Sequence, residues 1–301
     1  MEREPNLKQD FMELIEKINR YSMEYITKYG NDNRAYRTAM KDFYESLGNI
    51  KAIESMLSMK GMTLKERMLT KRTLASLEIL DSRGGKLSFY NLPANKLQKV
   101  FDLIDENIKE SAERNRYDCL MWFQVYMRMD SFDFGKAYDF LMEWPNGDND
   151  YYVCFYRYVI GFILYYNNEL DALTVQKHLR QSSALSNNLY GISTTSTREI
   201  IGIKNDNLYL IPDYIDSYLG NLSTEERDDY RKENGLFFTG QISDFNNAMV
   251  LIKFTIDDEF SFTAKIPAIS GIGGMDVGDS VKFILGFSYK EMRAWNIEKL
   301  E

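Results

Sequence analysis

The hydrophobic periodicity of this chain changes near Gly235, and this change limits the possible folds more than any other feature. Before Gly235, apolar residues recur every three or four positions, as they do along one face of an α-helix. After it, apolar and polar residues alternate, which is typical of a strand with one buried face. The sequence therefore predicts an α+β, multidomain protein in which an all-α segment precedes a small β-domain.

The first part of the helical segment, residues 1–114, is predicted to form an N-terminal helical domain. The apolar spacing indicates one uninterrupted helix from about Tyr36 to near Gly61. Thr63 and Glu66 then have the spacing of a capping box, in which each side chain accepts a hydrogen bond from the other residue's backbone N–H. We expect the next helix to begin there.

The second part, residues 115–184, shows helices in pairs. The pairs recur with a period of about 34 residues, which is the length of a tetratricopeptide (TPR) repeat. In such repeats, paired helices bury their apolar faces by stacking on their neighbours. We therefore predict TPR-like helix pairs here, followed by a linker with short helices over 185–235. The predicted helices are 117–129, 134–144, 151–166 and 171–183.

The last domain, residues 236–301, contains five runs in which apolar and polar residues alternate. Asn246 and Asn247 indicate a tight turn between the first two runs, and a glycine-rich stretch at 269–279 connects the third to the fourth. Five short strands with one long connection fit a small barrel of the oligonucleotide-binding (OB) type. An SH3-like barrel is the alternative. The apolar positions on the inward side are Phe238, Gly240, Ile242, Val250, Ile252, Phe254, Phe260, Phe262, Ala264, Val281, Phe283, Leu285 and Phe287.

Charge and cysteine content argue against several classes of protein. The net charge of −8 arises after residue 120, where 16 Lys and Arg are outnumbered by 26 Asp and Glu. Such a chain is not expected to coat nucleic acid, because that affinity comes from Lys and Arg displacing counterions. Cys119 and Cys154 are too few for a disulfide framework. The most apolar stretch, 151–166, is too short to span a bilayer, so we expect a cytoplasmic protein with no membrane partner.

Catalytic and metal-binding chemistry has little support in the sequence. His178 is the single histidine, and no second type of metal ligand lies near it, so neither a zinc site nor a histidine-based triad is expected. The spacing of Asp148 and Asp150 could bind a hard cation, but helix capping explains it better. We therefore predict no enzyme activity, no metal site and no cofactor.

One face of the barrel is the best candidate for a functional site. Because Ile252 and Phe254 are expected to point inward, alternation places Lys253 on the outside. OB-type barrels hold single strands on strands two and three, between the first and fourth loops, by stacking on aromatic rings beside a few cations. Docking of this face on a protein is the alternative. The candidate nucleic-acid-binding residues are Phe245, Asn247, Lys253, Thr263, Lys265, Tyr289, Lys290 and Arg293.

Three stretches carry a resemblance to a known family. GDSVKFILGFSY at 278–289 and RAWNI at 293–297 resemble the end of a C-terminal barrel that follows TPR-like helices in STAND-type and bacterial defence proteins. The same barrel occurs in vertebrate antiviral proteins that begin with a sterile alpha motif. DYYVCFYRYVIGF at 150–162 is similar to their aromatic-rich last repeat. Glu291 departs from those barrels, which tend to have a glycine there, and this chain has no P-loop.

The resemblance implies a role in prokaryotic antiphage defence or signalling. It implies a non-catalytic accessory or sensor protein that binds a protein partner, such as an ATPase, nuclease or reverse transcriptase encoded nearby, through its helices. The barrel would then bind single-stranded RNA or DNA. The alternative is a protein–protein scaffold without nucleic-acid binding, whose contacts would be mostly apolar and resistant to salt.

Overall fold

The computed structural model describes most of the chain, and its residues fall into two compact units. The helical unit comprises 1–86 and 98–111, and the helix–barrel unit comprises 87–97 and 112–301. The described ranges are 12–21, 24, 34–59, 61–80, 92–186, 235–245, 249–257, 260–267 and 274–301, with shorter pieces at 200–201, 211–212, 223, 225–226, 229 and 232–233.

The helical unit packs amphipathic helices around a core that contains Ile53, Met56 and Leu74. The predicted capping box is confirmed, since Thr63 Oγ1 accepts from Glu66 N and the Glu66 carboxylate accepts from Thr63 N. The helices are α1 (12–21), α2 (Arg34–Ser46), α3 (Ile50–Leu57), α4 (Leu64–Glu78) and α5 (Ala94–Glu110), of which residues 98–110 belong to this unit.

The prediction of one helix from Tyr36 to near Gly61 was wrong, because the helix is interrupted at Gly48, between α2 and α3. Gly48 adopts a φ of +62°, in the left-handed region that favours glycine. Asn49 then starts α3 by accepting a hydrogen bond from Ala52 N with its side chain. The apolar spacing continues across the break, so periodicity did not reveal it.

Buried ion pairs also stabilise the helical unit. Arg37 donates to both carboxylate oxygens of Glu66, with Nη2 3.1 Å from each. Burial opposes ionisation of Glu66, but hydrogen bonds from Thr63 and Arg37 outweigh it and lower the pKa of that carboxyl. Removing either member of the pair would leave an uncompensated buried charge, which is strongly destabilising.

The helix–barrel unit begins with helices that match the predicted pairs. Each starts at a residue whose side chain satisfies a free backbone N–H, and Asp150 does this for α8 by accepting from Tyr152 N and Val153 N. Aromatic rings fill the space between them: Trp122 stacks on Phe140 with centroids 3.9 Å apart. The helices are α6 (Arg116–Tyr126), α7 (Phe134–Met142), α8 (Tyr151–Tyr166) and α9 (Ala172–Ser186).

Five strands then close into a barrel. In the order of the ring, β3 pairs with β4, β4 with β5, β5 with β7, β7 with β6, and β6 with β3. The β5–β7 pair is parallel, as an OB-like Greek key requires, whereas an SH3-like meander would pair consecutive strands antiparallel. Two short strands, β1 (Ile200–Ile201) and β2 (Ile211–Pro212), extend the sheet beside β6. The barrel strands are β3 (Phe237–Phe245), β4 (Met249–Thr255), β5 (Ser261–Pro267), β6 (Ser280–Phe287) and β7 (Met292–Lys299).

The predicted strand register is confirmed. Ile252, Phe262 and Phe283 are buried in the barrel, and Lys253 is exposed between two buried neighbours. Each barrel strand from β3 to β6 therefore buries the side on which the sequence places its apolar residues.

Helix α8 completes the barrel core. The ring of Phe162 lies with its centroid 5.3 Å from that of Phe287 and 5.4 Å from that of Phe262. Tyr158 Oη, which is buried, donates to the carbonyl oxygens of Ser288 and Glu291, at 3.1 and 3.3 Å. The helices of 115–184 and the barrel of 236–301, separate in the sequence-based division, thus share one core.

Candidate nucleic-acid interface

The outer face of β3, β4 and β5 carries polar side chains at two successive register positions. Lys253 on β4 pairs with Gln241 on one side and with Thr263 on the other. Thr255 pairs with Ser261 one step further along the same strands. Because side chains alternate along a strand, these residues share the face opposite the core.

An open groove of about 510 Å³ lies on this face. Its floor depends on Gly240, where an added Cβ would lie 2.6 Å from the Lys253 carbonyl oxygen and 2.8 Å from Ile252 Cγ2. Strands β3 and β4 can therefore approach closely only because this position lacks a side chain. The polar residues that line the groove are Thr239, Gln241, Lys253, Thr255, Ser261 and Ser280.

No carboxylate of the described residues pairs with Lys253, whereas carboxylates do pair with two other lysines of the barrel. Lys265 Nζ lies 2.9 Å from Glu291 Oε2, and Lys299 Nζ lies 2.6 Å from Asp279 Oδ2. Lys282 Nζ sits over the ring of Phe237, 4.2 Å from its centroid. Of the described side chains that line the groove, Lys253 alone carries a charge. Sequence patterning located Lys253 on this face but gave no sign that Lys265 and Lys299 are paired with carboxylates.

Three other predicted site residues are not part of the groove lining. Phe245, at the end of β3, is 44% exposed and offers a ring to solvent. Thr263 is half-buried beside Lys253, and Lys290 is exposed in the turn between β6 and β7. Asn247 lies outside the described residues.

Tyr289 and Arg293 do not belong to an accessible surface, and their selection as contact residues was wrong. Tyr289 is buried, with its ring centroid 4.4 Å from that of Phe155. Its carbonyl oxygen accepts a hydrogen bond of 2.6 Å from Ser182 Oγ. The cause is that α8 and α9 cover the turn between β6 and β7, which the sequence presents as an exposed loop.

Arg293 and Lys265 instead form a charge cluster with Glu291. Arg293 is 1% exposed, and its Nη2 lies 3.1 Å from Glu291 Oε1. Lys265 contacts the other carboxylate oxygen, so its side chain is 33% exposed but engaged. The cluster joins β5 to β7 at their parallel pairing, and its burial means that removing Glu291 would leave Arg293 uncompensated.

The titratable groups of the helices have structural roles. His178 is buried with Nε2 2.7 Å from Tyr138 Oη, and burial lowers its pKa to about 4. Burial raises the pKa of Cys119 and of Cys154 to about 11, which keeps both as thiols. Arg157 lies on α8, and its side chain donates to the Leu141 carbonyl oxygen of α7 and to Asp148 in the turn before α8. It therefore joins α8 to α7 and to that turn.

The described residues contain neither a cluster of metal ligands nor a membrane-spanning helix. Within the described ranges, no three His, Cys, Asp or Glu side chains come together as metal ligands would. None of the helices in the described part of the chain combines the length and apolar character needed to cross a bilayer.

Comparison with known proteins places this chain in no family. No protein-family model matches the sequence, and no curated protein is significantly similar to it. The functional interpretation therefore depends on the geometry of the barrel face.

Proposed function

We propose that this protein is a non-catalytic binding module whose OB-like barrel holds single-stranded nucleic acid in the groove over β3, β4 and β5. The observation that carries the proposal is the position of Lys253. It is exposed on the groove, and no carboxylate of the described residues pairs with it. A phosphate can therefore bind its ammonium group without first displacing an acidic side chain.

The surroundings of Lys253 support this assignment. The lining of the groove has no acidic side chain among the described residues, although the chain as a whole carries a net charge of −8. An anionic ligand is repelled less here than by an average surface of the protein. Phe245 adds an exposed ring at the end of β3, where a base could stack.

The helices provide the second half of the proposed function. We propose that α6–α9, which share a core with the barrel within one compact unit, hold a protein partner. The resemblance of 278–297 favours an accessory or sensor role in antiphage defence or signalling, with an ATPase, nuclease or reverse transcriptase as the partner.

Binding of labelled single-stranded oligonucleotide pools tests the proposal. Fluorescence anisotropy at about 50 mM salt should detect binding that weakens as salt is added. Lys253→Ala should reduce affinity roughly tenfold, because one charge-assisted contact contributes about 1.5 to 3 kcal/mol. Lys51→Ala, which removes an exposed lysine from α3, is the matched control and should bind as the wild type does. Absence of binding to RNA and DNA pools alike would refute the proposal.

A protein–protein scaffold is the second candidate function. Leu173 on α9 is 70% exposed and Met142 on α7 is 47% exposed, and both helices pack against α8. Apolar side chains on neighbouring helices could contact a partner without any nucleic acid. If this function holds instead, a partner should co-purify from the native host and remain bound at high salt.

A further inference from the structure

The groove carries side-chain hydroxyls that are not used within the protein. No hydrogen bond within the described residues involves the hydroxyls of Thr239, Thr255, Ser261 or Ser280, although these four line the groove together. Two buried hydroxyls of the same unit are engaged: Ser182 Oγ donates to the Tyr289 carbonyl oxygen, and Ser288 Oγ donates to that of Glu291. The groove thus presents an array of hydrogen-bonding groups that remain available to a ligand.

The composition of the groove limits how a ligand can be held. Lys253 is the single cation among the described residues of the lining, so neutralisation of phosphates there can supply only a small part of the affinity. Phe254 is the aromatic residue of the lining and is 2% exposed, so stacking inside the groove is not available. Most of the affinity must then come from hydrogen bonds to neutral groups of the ligand.

Ribose supplies such groups at every nucleotide. A 2′-hydroxyl both donates and accepts, as do the Thr and Ser hydroxyls of the groove, and deoxyribose lacks it. Gln241 adds an amide oxygen at the centre of the groove, while its Nε2 donates to the Gly278 carbonyl oxygen at 3.0 Å. The amide is therefore held in one orientation, with its oxygen available as an acceptor.

We infer that the groove selects RNA over DNA, with the hydroxyls of β3–β6 binding ribose 2′-hydroxyls and Lys253 binding one phosphate. This inference rests on the proposed function, because it names the nucleic acid that the same groove takes. It differs from that function in depending on the neutral side chains rather than on Lys253.

The test compares three single strands of identical sequence: RNA, DNA and 2′-O-methyl RNA. RNA should bind at least roughly tenfold more tightly than DNA, and 2′-O-methyl RNA should lose affinity because its 2′-oxygen no longer donates. Because one phosphate contact dominates the electrostatics, the slope of log K against log salt should be shallow, about −0.7.

Variants locate the source of the selectivity. The double variant Thr255→Val/Ser261→Ala should reduce RNA affinity to that of DNA and leave DNA affinity unchanged, whereas Lys253→Ala should weaken both. Thr38→Val, which removes an exposed hydroxyl from α2, is the control and should keep the wild-type preference. Circular dichroism of the double variant should match the wild type, since the substituted positions face solvent.

The possible failures are distinguishable. Equal binding of RNA and DNA would overturn the inference and leave the proposed function intact. Binding of neither polymer would overturn the proposed function as well. Binding of a neutral oligosaccharide by the wild type, lost in Thr255→Val/Ser261→Ala but not in Lys253→Ala, would show that the hydroxyls recognise sugar without nucleic acid and would overturn both.

Discussion

The ionisation of His178 depends strongly on its surroundings. It lies on α9 with 4% of its surface exposed, and its Nε2 is hydrogen-bonded to Tyr138 Oη. Burial first, and then the nearby charges of Arg157 and Lys177, lower its pKa from 6.5 to about 4. The imidazole is therefore neutral at neutral pH and packs as part of the helix interface.

This shift predicts a pH dependence of stability. Between pH 6.5 and about pH 4 the unfolded state binds a proton at His178 that the folded state does not, so the free energy of unfolding falls as pH falls through that window. His178→Phe removes this contribution. Urea unfolding at pH 7 and pH 5 should show a larger loss for the wild type than for the variant. Carboxylates titrate in both proteins, so the difference between the two losses is the quantity to compare; equal losses would contradict the assignment.

Residue roles show where sequence reasoning succeeds and where it stops. Lys253 and Phe283 were assigned to opposite faces correctly, because alternation along a strand fixes the face of each side chain. Tyr289 and Arg293 were assigned wrongly, because their burial depends on α8 and on Glu291. The local sequence pattern shows on which face of its own strand a residue lies. It does not show which other element packs over that face.

Helix α8 packs against both the neighbouring helices and the barrel. Its residues from Tyr152 to Tyr165 are buried throughout, because one side contacts α7 and α9 and the other contacts the barrel. A helix that is apolar on all sides is predicted to be buried, and the sequence of α8 shows this property. The sequence did not show that the barrel packs against the second apolar side of α8, because the residues in contact, such as Tyr158 and Ser288, are 130 residues apart.

Truncation of Phe162 tests the role of α8. Phe162→Ala should lower the free energy of unfolding by about 3 to 5 kcal/mol, because it removes a fully buried ring from the barrel core. Leu173→Ala on α9, where the side chain is 70% exposed, is the control and should change it by less than about 0.5 kcal/mol. Urea denaturation followed by near-UV circular dichroism measures both. Similar losses for the two variants would show that Phe162 does not fill the barrel.

At the scale of the whole molecule, the change of periodicity near Gly235 correctly separated helices from barrel. Strand number and the inward side of each strand followed from alternation alone. The sequence did not predict the two compact units, because tertiary packing determines them. In the structure this packing joins 112–186 to the barrel. The groove was missed for the same reason: its floor depends on the close approach of β3 to β4 at Gly240.

The location of bound nucleic acid tests the central claim most directly. Ultraviolet crosslinking of the full chain to single-stranded RNA, followed by mass spectrometry of the crosslinked peptides, reports which surface the strand contacts. The groove predicts crosslinks within 239–263, on β3, β4 and the start of β5, whose yield at a fixed, subsaturating RNA concentration falls in Lys253→Ala and is unchanged in Lys51→Ala. Crosslinks confined to α1–α9, with none on the barrel strands, would contradict the assignment of the groove as the binding site.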